Sequence, residues 1–375
     1  MSKMTRRQRM QAIYAGQIPD RSAIKVWGAE PGQRCAHPAF EPVRDLAVAR
    51  SDLLITLGFD LHHVYCGQHG KTLYEVRQQK TASPDWVEEI LIYHTPRGDL
   101  REVNYIGTHG QPGYEVEFPL KEPDDIGKLL SMPYEPCPID VQRFRAADVA
   151  VGDAGIAQYH LDNPLCALQR IIGPENFALW SFEAQDLMLE AVRVFAGRLQ
   201  DQVKRALAAG VTGPFGWVGP ELCIPPLMPM SAFEKFVFAI DKPTIDLIHE
   251  GGARVWVHCH GKMGPVLERF VAMGVDVLNP LEPPPMGDLT LAEAFGRVGN
   301  RVALEGNLET HDIMTVAPDV LRDKIHEALD AGRGRRHIFC PSAGYYENPQ
   351  PTQREIENWI LFIEEGVRYA EEISQ

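Results

Sequence analysis

Apolar runs punctuated by glycine set the rhythm of this chain. At Ala209-Gly210-Val211, Glu250-Gly251-Gly252 and Met273-Gly274-Val275 a helical pattern closes on Gly and an apolar run follows at once. Gly just past a helix end takes the left-handed backbone that stops the helix. The runs Gly155–Tyr159, Val211–Val218, Arg254–His258, Val275–Leu281, Val302–Glu305 and His337–Cys340 read as strands. Long amphipathic patterns at Gln185–Ala209 and Ala232–His249 read as helices between them. Thr5–Ala15 predicts a first helix, and Ala23–Trp27 and Phe59–Tyr65 predict two earlier strands, the second after a helix ending near Gly58.

Eight such strands alternating with helices predict an α/β protein, a (β/α)8 TIM barrel. A doubly wound open sheet is the alternative, but no Gly-rich phosphate fingerprint follows the first strand. From about residue 71 to 120 the pattern changes to hairpin strands, Val87–His94 and Leu100–Ile106 around Thr95-Pro96-Arg97-Gly98. We read one domain over residues 1–375, carrying an inserted β-hairpin segment near the N-terminus that covers one end of the scaffold. A Pro-rich linker, Met132–Pro138, ends the insertion.

Composition narrows the function. With 375 residues, 45% hydrophobic and 23% charged, the chain is an ordinary globular sequence. No apolar run is long enough for a transmembrane helix, so no membrane association is expected. The polar opening is not expected to act as a signal peptide, and a cytoplasmic enzyme is the expectation. A formal net charge of −14 argues against nucleic-acid partners. Seven cysteines at irregular spacings do not suggest a disulfide framework.

In a βα barrel, functional groups sit at the C-terminal ends of the strands. Here those ends carry Glu221, His258-Cys259-His260, Asn279 to Glu282, Glu305 to Glu309, and Cys340-Pro341-Ser342. His258 and His260 are two apart and therefore share a side of their strand. Imidazole, thiolate and carboxylate are all zinc ligands. The expected metal set is His258, His260 and Cys340, with Glu282 as an exchangeable fourth ligand and Glu221 as the alternative carboxylate. Glu221, Glu282 and Glu305 are the expected catalytic carboxylates. Zinc with an open position would bind a small substrate and, for a thiol, hold it as thiolate. Cys259, between the two histidines, is read as packing, and Cys223 as a loop thiol. Trp27, Trp217 and Trp256 are read as barrel packing. His63 is a candidate for the mouth, and His62 reads as structural.

These residues also carry a family resemblance. The opening Thr5-Arg6-Arg7-Gln8-Arg9 through Ile18-Pro19-Asp20-Arg21, and the run Arg301 to Glu309 containing Gly306-Asn307-Leu308-Glu309, resemble the uroporphyrinogen decarboxylase superfamily, which includes cobalamin-dependent methyltransferases. The resemblance implies a (β/α)8 barrel with its site at the strand C-termini. The decarboxylases carry an Arg-rich segment after strand one and a Gly-His-Gly turn after the last strand. Here Val26 to Gly32 has no Arg, and Ser342-Ala343-Gly344 has no His. The methyltransferase branch carries His-x-Cys and a distant Cys as zinc ligands. This chain has His258-x-His260 and Cys340, with His in place of the middle Cys. That change makes a zinc site less negative and more Lewis acidic, which favours an oxygen-bound substrate such as a methyl ether or an alcohol.

The resemblance thus implies a zinc-dependent methyltransferase. It would exchange a methyl group between a small methyl ether, alcohol or thiol and a corrinoid (cobalamin) on a partner corrinoid protein, since no cobalamin-binding Rossmann unit is evident in the chain. The rivals are a metal-independent decarboxylase, for which Lys25 and Arg34 are the few candidate cations, and a barrel retained only for binding. A homodimer is compatible with a barrel of this size.

Overall fold

The structure is a computed structural model that describes residues 3–58, 64–109, 111–345 and 348–374. Its first helix, Arg6–Tyr14, starts where Thr5 caps it: the Thr5 hydroxyl accepts from the Gln8 amide, and the Gln8 side chain bonds back to the Thr5 amide. This reciprocal capping box fixes the helix start.

Twelve strands follow among the described residues: β1 (Ala23–Ile24), β2 (Leu53–Leu57), β3 (Tyr74–Lys80), β4 (Trp86–Tyr93), β5 (Leu100–Gly107), β6 (Tyr114–Glu117), β7 (Gly155–His160), β8 (Phe215–Val218), β9 (Val255–His258), β10 (Val277–Leu281), β11 (Ala303–Leu308) and β12 (His337–Pro341). Eight of them form one sheet in the order β1-β12-β11-β10-β9-β8-β7-β2, and every pairing is parallel. That order runs once around in chain sequence, whereas a doubly wound sheet reverses at a switch point.

The two end strands meet at a seam. The Asp52 amide donates to the Ile24 carbonyl at 2.6 Å, and the Asp52 carboxylate accepts from the Ile24 amide at 2.8 Å. The fold is therefore the expected (β/α)8 barrel. Behind the seam, buried Arg9 bonds Asp20 and Asp52, and Arg21 also reaches Asp52. A buried carboxylate needs such partners, so the Arg-rich opening of the chain closes the barrel.

Two strands differ from expectation. The second barrel strand is Leu53–Leu57, not Phe59–Tyr65. The helix before it, Glu41–Arg50, stops at Ser51, well before Gly58, and Asp52 is tied to the seam, so the strand begins at once. Phe59 to His63, including His62 and His63, lie outside the described residues, and Val64-Tyr65 is a buried turn. The fourth barrel strand begins at Phe215 rather than Val211. The residue just before it is Pro214, which has no N–H to give to a ladder.

β3 to β6 form a separate antiparallel sheet over Tyr74–Glu117. No helix among the described residues is long and apolar enough to cross a membrane. None of the seven cysteines forms a disulfide.

Alternate residues of each strand enter the barrel. The lowest layer is apolar: Ala23, Ile156, Val277, Ala303 and Ile338 pack with Met10, Ile13 and Tyr14 of the first helix. One step up, two residues along each strand, come Lys25, Gln158, Asn279 and Glu305, all buried. Barrel interiors are commonly filled by branched apolar side chains. A polar layer at this depth is therefore the first structural sign of chemistry above it.

Candidate active site at the barrel mouth

β9 ends in His258, and His260 stands just beyond the strand. Their rings lie 4.5 Å apart and nearly perpendicular, so the period-two spacing does bring both imidazoles to one side. His258 Nδ1 lies 2.6 Å from Asn279 Oδ1. The Asn279 amide nitrogen donates to Glu305 Oε1 at 2.9 Å. That second bond fixes which end of the Asn279 side chain faces His258: an oxygen, which only accepts. His258 must therefore carry its proton on Nδ1 and present a bare lone pair on Nε2. Burial, followed by the neighbouring His260, pulls the His258 pKa down to about 4, so the ring is neutral at pH 7.

Glu305 is fully buried and anchors this chain of bonds. It accepts from Lys25 Nζ at 2.5 Å, from Asn279, and from Trp256 Nε1 at 3.0 Å. Glu305, expected as a catalytic carboxylate, lies beneath the mouth and is bonded to Asn279. Its partner Lys25 also stacks on the Trp27 ring, 3.7 Å from the centroid.

A ring of carboxylates surrounds His260. Glu282 is mostly buried, and both its oxygens are engaged, by His260 Nδ1 at 2.9 Å and the Gly261 amide at 2.8 Å. The bond to Glu282 raises the His260 pKa against the opposing effect of burial. Burial works against ionisation of Glu282, yet the contacts from His260 and Gly261 hold its pKa below the usual value. Glu221 differs. One of its oxygens is buried without a hydrogen-bond partner, and burial pushes its pKa up to about 7. Glu309, which sequence alone did not single out from its strand end, has one oxygen on the Ser342 hydroxyl at 3.2 Å and the other buried without a partner.

Cys340 lies deeper. It is fully buried, with Sγ 3.3 Å from the Pro341 carbonyl oxygen. Burial raises its thiol pKa well above the ordinary value, and nearby Lys25 opposes that rise. Cys259 is buried between the histidines, and Cys223 is buried in a short turn. Among the described residues, no three His, Cys, Asp or Glu side chains stand close enough together to hold a metal ion. The donors still suit zinc in kind. Each imidazole has Nδ1 tied to an oxygen and Nε2 open, the outer-shell arrangement that orients metal-ligating histidines. Cys340 would complete the set as a thiolate.

Beside His258 opens a cavity of about 300 Å³, walled by Trp27, Trp256, Gln158, His160 and Glu30. The two indoles expected as packing therefore face the cavity, while Trp217 is buried. Burial pulls the His160 pKa down to about 4. The signal for β7 was present in its sequence: Gln158 and His160 are polar at alternate positions of an otherwise apolar run. Of the two candidate cations, Lys25 is paired with Glu305, and Arg34 is exposed and absent from the cavity wall.

A family model described as uroporphyrinogen decarboxylase (URO-D) matches residues 163–358. Among solved structures, a methyltransferase from Methanosarcina mazei superposes with a TM-score of 0.62 at 15% sequence identity, covering 97% of this chain and 99% of that one. A B12-independent methionine synthase from Shewanella sp. W3-18-1, in complex with selenomethionine, gives a TM-score of 0.42 at 11% identity over 81% of this chain and 78% of that one. No curated protein matches the sequence.

Proposed function

The chain belongs to the uroporphyrinogen decarboxylase (URO-D) family, and on that premise we propose that it is a zinc-dependent methyltransferase. It moves a methyl group between a small substrate, a methyl ether, alcohol or thiol, and a corrinoid held by a partner protein. The observation that carries this reading is the chain of bonds from Glu305 through Asn279 to His258, which presents a neutral imidazole with its Nε2 open beside His260. The Methanosarcina mazei methyltransferase shares this fold.

In this reading His258, His260 and Cys340 would hold zinc, and Glu282 or Glu221 would be the exchangeable carboxylate. Bound there, zinc supplies Lewis acidity toward the substrate oxygen or sulfur. The protein's own groups do the rest. Asn279 and Glu282 keep the two imidazoles in place through their Nδ1 atoms. Glu221, with a pKa near neutrality and an unpartnered oxygen, returns a proton to the substrate oxygen as the methyl group leaves it, or removes that proton in the reverse direction. Lys25 remains bound to Glu305 and offers no grip for substrate carboxylates, which leaves the decarboxylase alternative without a cationic anchor in the cavity. The described residues outside the barrel sheet contain one other sheet, antiparallel β3 to β6. That arrangement is consistent with a corrinoid supplied by a partner.

The test is elemental mass spectrometry on wild type and on a His258→Ala/His260→Ala variant. It is followed by corrinoid absorbance in a methyl-transfer assay. About one zinc per chain, lost in the variant, is the expected result. Wild type purified without chelator and lacking zinc would overturn the metal assignment.

A further inference from the structure

The polar layer of the barrel has one member whose bonds are not made. Lys25 and Asn279 each donate to Glu305, as Trp256 does from below, and the Asn279 oxygen meets His258. Gln158 lies in the same layer on β7, is 1% exposed, and has neither its amide oxygen nor its amide nitrogen hydrogen-bonded. A buried amide left unsatisfied is costly and rare in native proteins. Its position is nevertheless fixed. A Cβ built on Gly216 of the neighbouring strand would stand 2.4 Å from Gln158 Nε2 and 3.0 Å from Oε1. The amide therefore lies close over a glycine, and Gln158 lines the cavity that His258 also lines.

The cavity's charge narrows what that edge can meet. Its one lysine is neutralised by Glu305, and Glu30 places a carboxylate on the wall. An anionic ligand would find no unpaired cation there. The volume of about 300 Å³ is at the small end of ligand pockets, and Trp27 and Trp256 suit a flat body.

We propose that Gln158 is a specificity-determining residue whose amide pairs with a neutral, flat ligand carrying a hydrogen-bond donor next to an acceptor, as in a carboxamide or lactam. Oε1 accepts from the ligand donor and Nε2 donates to its acceptor, satisfying both orphaned atoms together. In the proposed methyl transfer this is the end of the substrate that is held, while the reacting end lies toward His258. The functional meaning rests on that reading; the binding itself does not.

The probes are benzamide, acetophenone and benzoate, which share a ring and differ in the polar edge. Binding is followed by calorimetry and by quenching of Trp27 and Trp256 fluorescence, without zinc or corrinoid. Wild type is expected to bind benzamide roughly tenfold or more tightly than either of the others, because benzamide alone gives Oε1 a donor while acetophenone and benzoate leave it unpaired. Gln158→Leu should bring benzamide to the level of acetophenone. Equal affinities for all three probes in wild type, or a benzamide preference that survives in a folded Gln158→Leu protein, would overturn the proposal. Should the leucine variant not fold, Gly216→Ala displaces the amide without removing it and must reduce the same preference; a preference that persists there also overturns the proposal. Methyl transfer in a protein without amide selectivity would reject this inference alone. Selectivity without methyl transfer would reject only the enzymatic reading.

Discussion

Asn279 joins His258 to Glu305: its amide nitrogen donates to the carboxylate, and its oxygen accepts from the imidazole Nδ1. Asn279→Leu keeps the bulk of the side chain and removes both bonds. His258 is then free to turn or to change tautomer, and zinc affinity and methyl-transfer rate should each fall about 10- to 100-fold. Chelator competition and single-turnover kinetics measure the two effects. Wild-type values for both would mean that His258 is not positioned through Asn279.

The Lys25–Glu305 pair is buried on both sides. Glu305→Leu leaves an ammonium in the barrel interior with its carboxylate gone, which should cost about 3–5 kcal/mol. Adding Lys25→Met removes the stranded charge and should restore most of that loss. Urea denaturation of the two variants decides the matter. A single variant as stable as wild type would show that the ammonium finds another partner.

Asp241 gives the protein a pH-dependent stability. Its carboxyl is buried, accepts from the Asn163 side chain at 2.9 Å, and has its pKa pushed up to about 7 by burial. A carboxyl with a raised folded pKa stabilises the fold fully below its unfolded pKa and loses that contribution as pH rises through the folded value. Between roughly pH 4 and 7 the loss approaches 1.4 kcal/mol per pH unit. Asp241→Asn should abolish this slope. Urea midpoints of both proteins at pH 5 and pH 8 provide the comparison, and parallel slopes would remove Asp241 as its source.

Cys340 is expected to resist thiol reagents in the native protein, because it is fully buried. Cys340→Ala should fold and yet release zinc to a chelator more than about 100-fold more readily, a larger effect than loss of an outer-shell partner. Retained zinc affinity would assign the third ligand to a carboxylate instead.

The sequence announced the barrel where local chemistry and global fold agree. Gly210 and Gly274 adopt the left-handed caps that their positions after helical patterns implied, and the strands following them are in the sheet. β2 was misplaced because its start is set by Asp52, whose partners Arg9, Arg21 and Ile24 are distant in sequence. The pairing of His258 with His260 was legible because a period of two is a local property. The depth of Cys340 was not. It depends on neighbours distant in sequence, Lys25 and Glu305 among them, and no spacing within one strand reports that. Trp27 and Trp256 show a similar limit: an inward indole reads alike whether it meets a core or a cavity.

The seam at Asp52 bears on how the protein is made. β1 pairs in the ladder with Ile338 and Phe339, near the opposite end of the chain. A nascent polypeptide must therefore wait for almost its whole length to leave the ribosome before β1 gains that partner. Meanwhile Asp52 already bonds Ile24, and Arg9 and Arg21 gather on the same carboxylate. The early unit is thus satisfied along the side that faces β2, while the side that faces β12 stays open. A chain cut short before His337 would leave open edges on both β1 and β11, and its fate would be association with other chains rather than a smaller barrel.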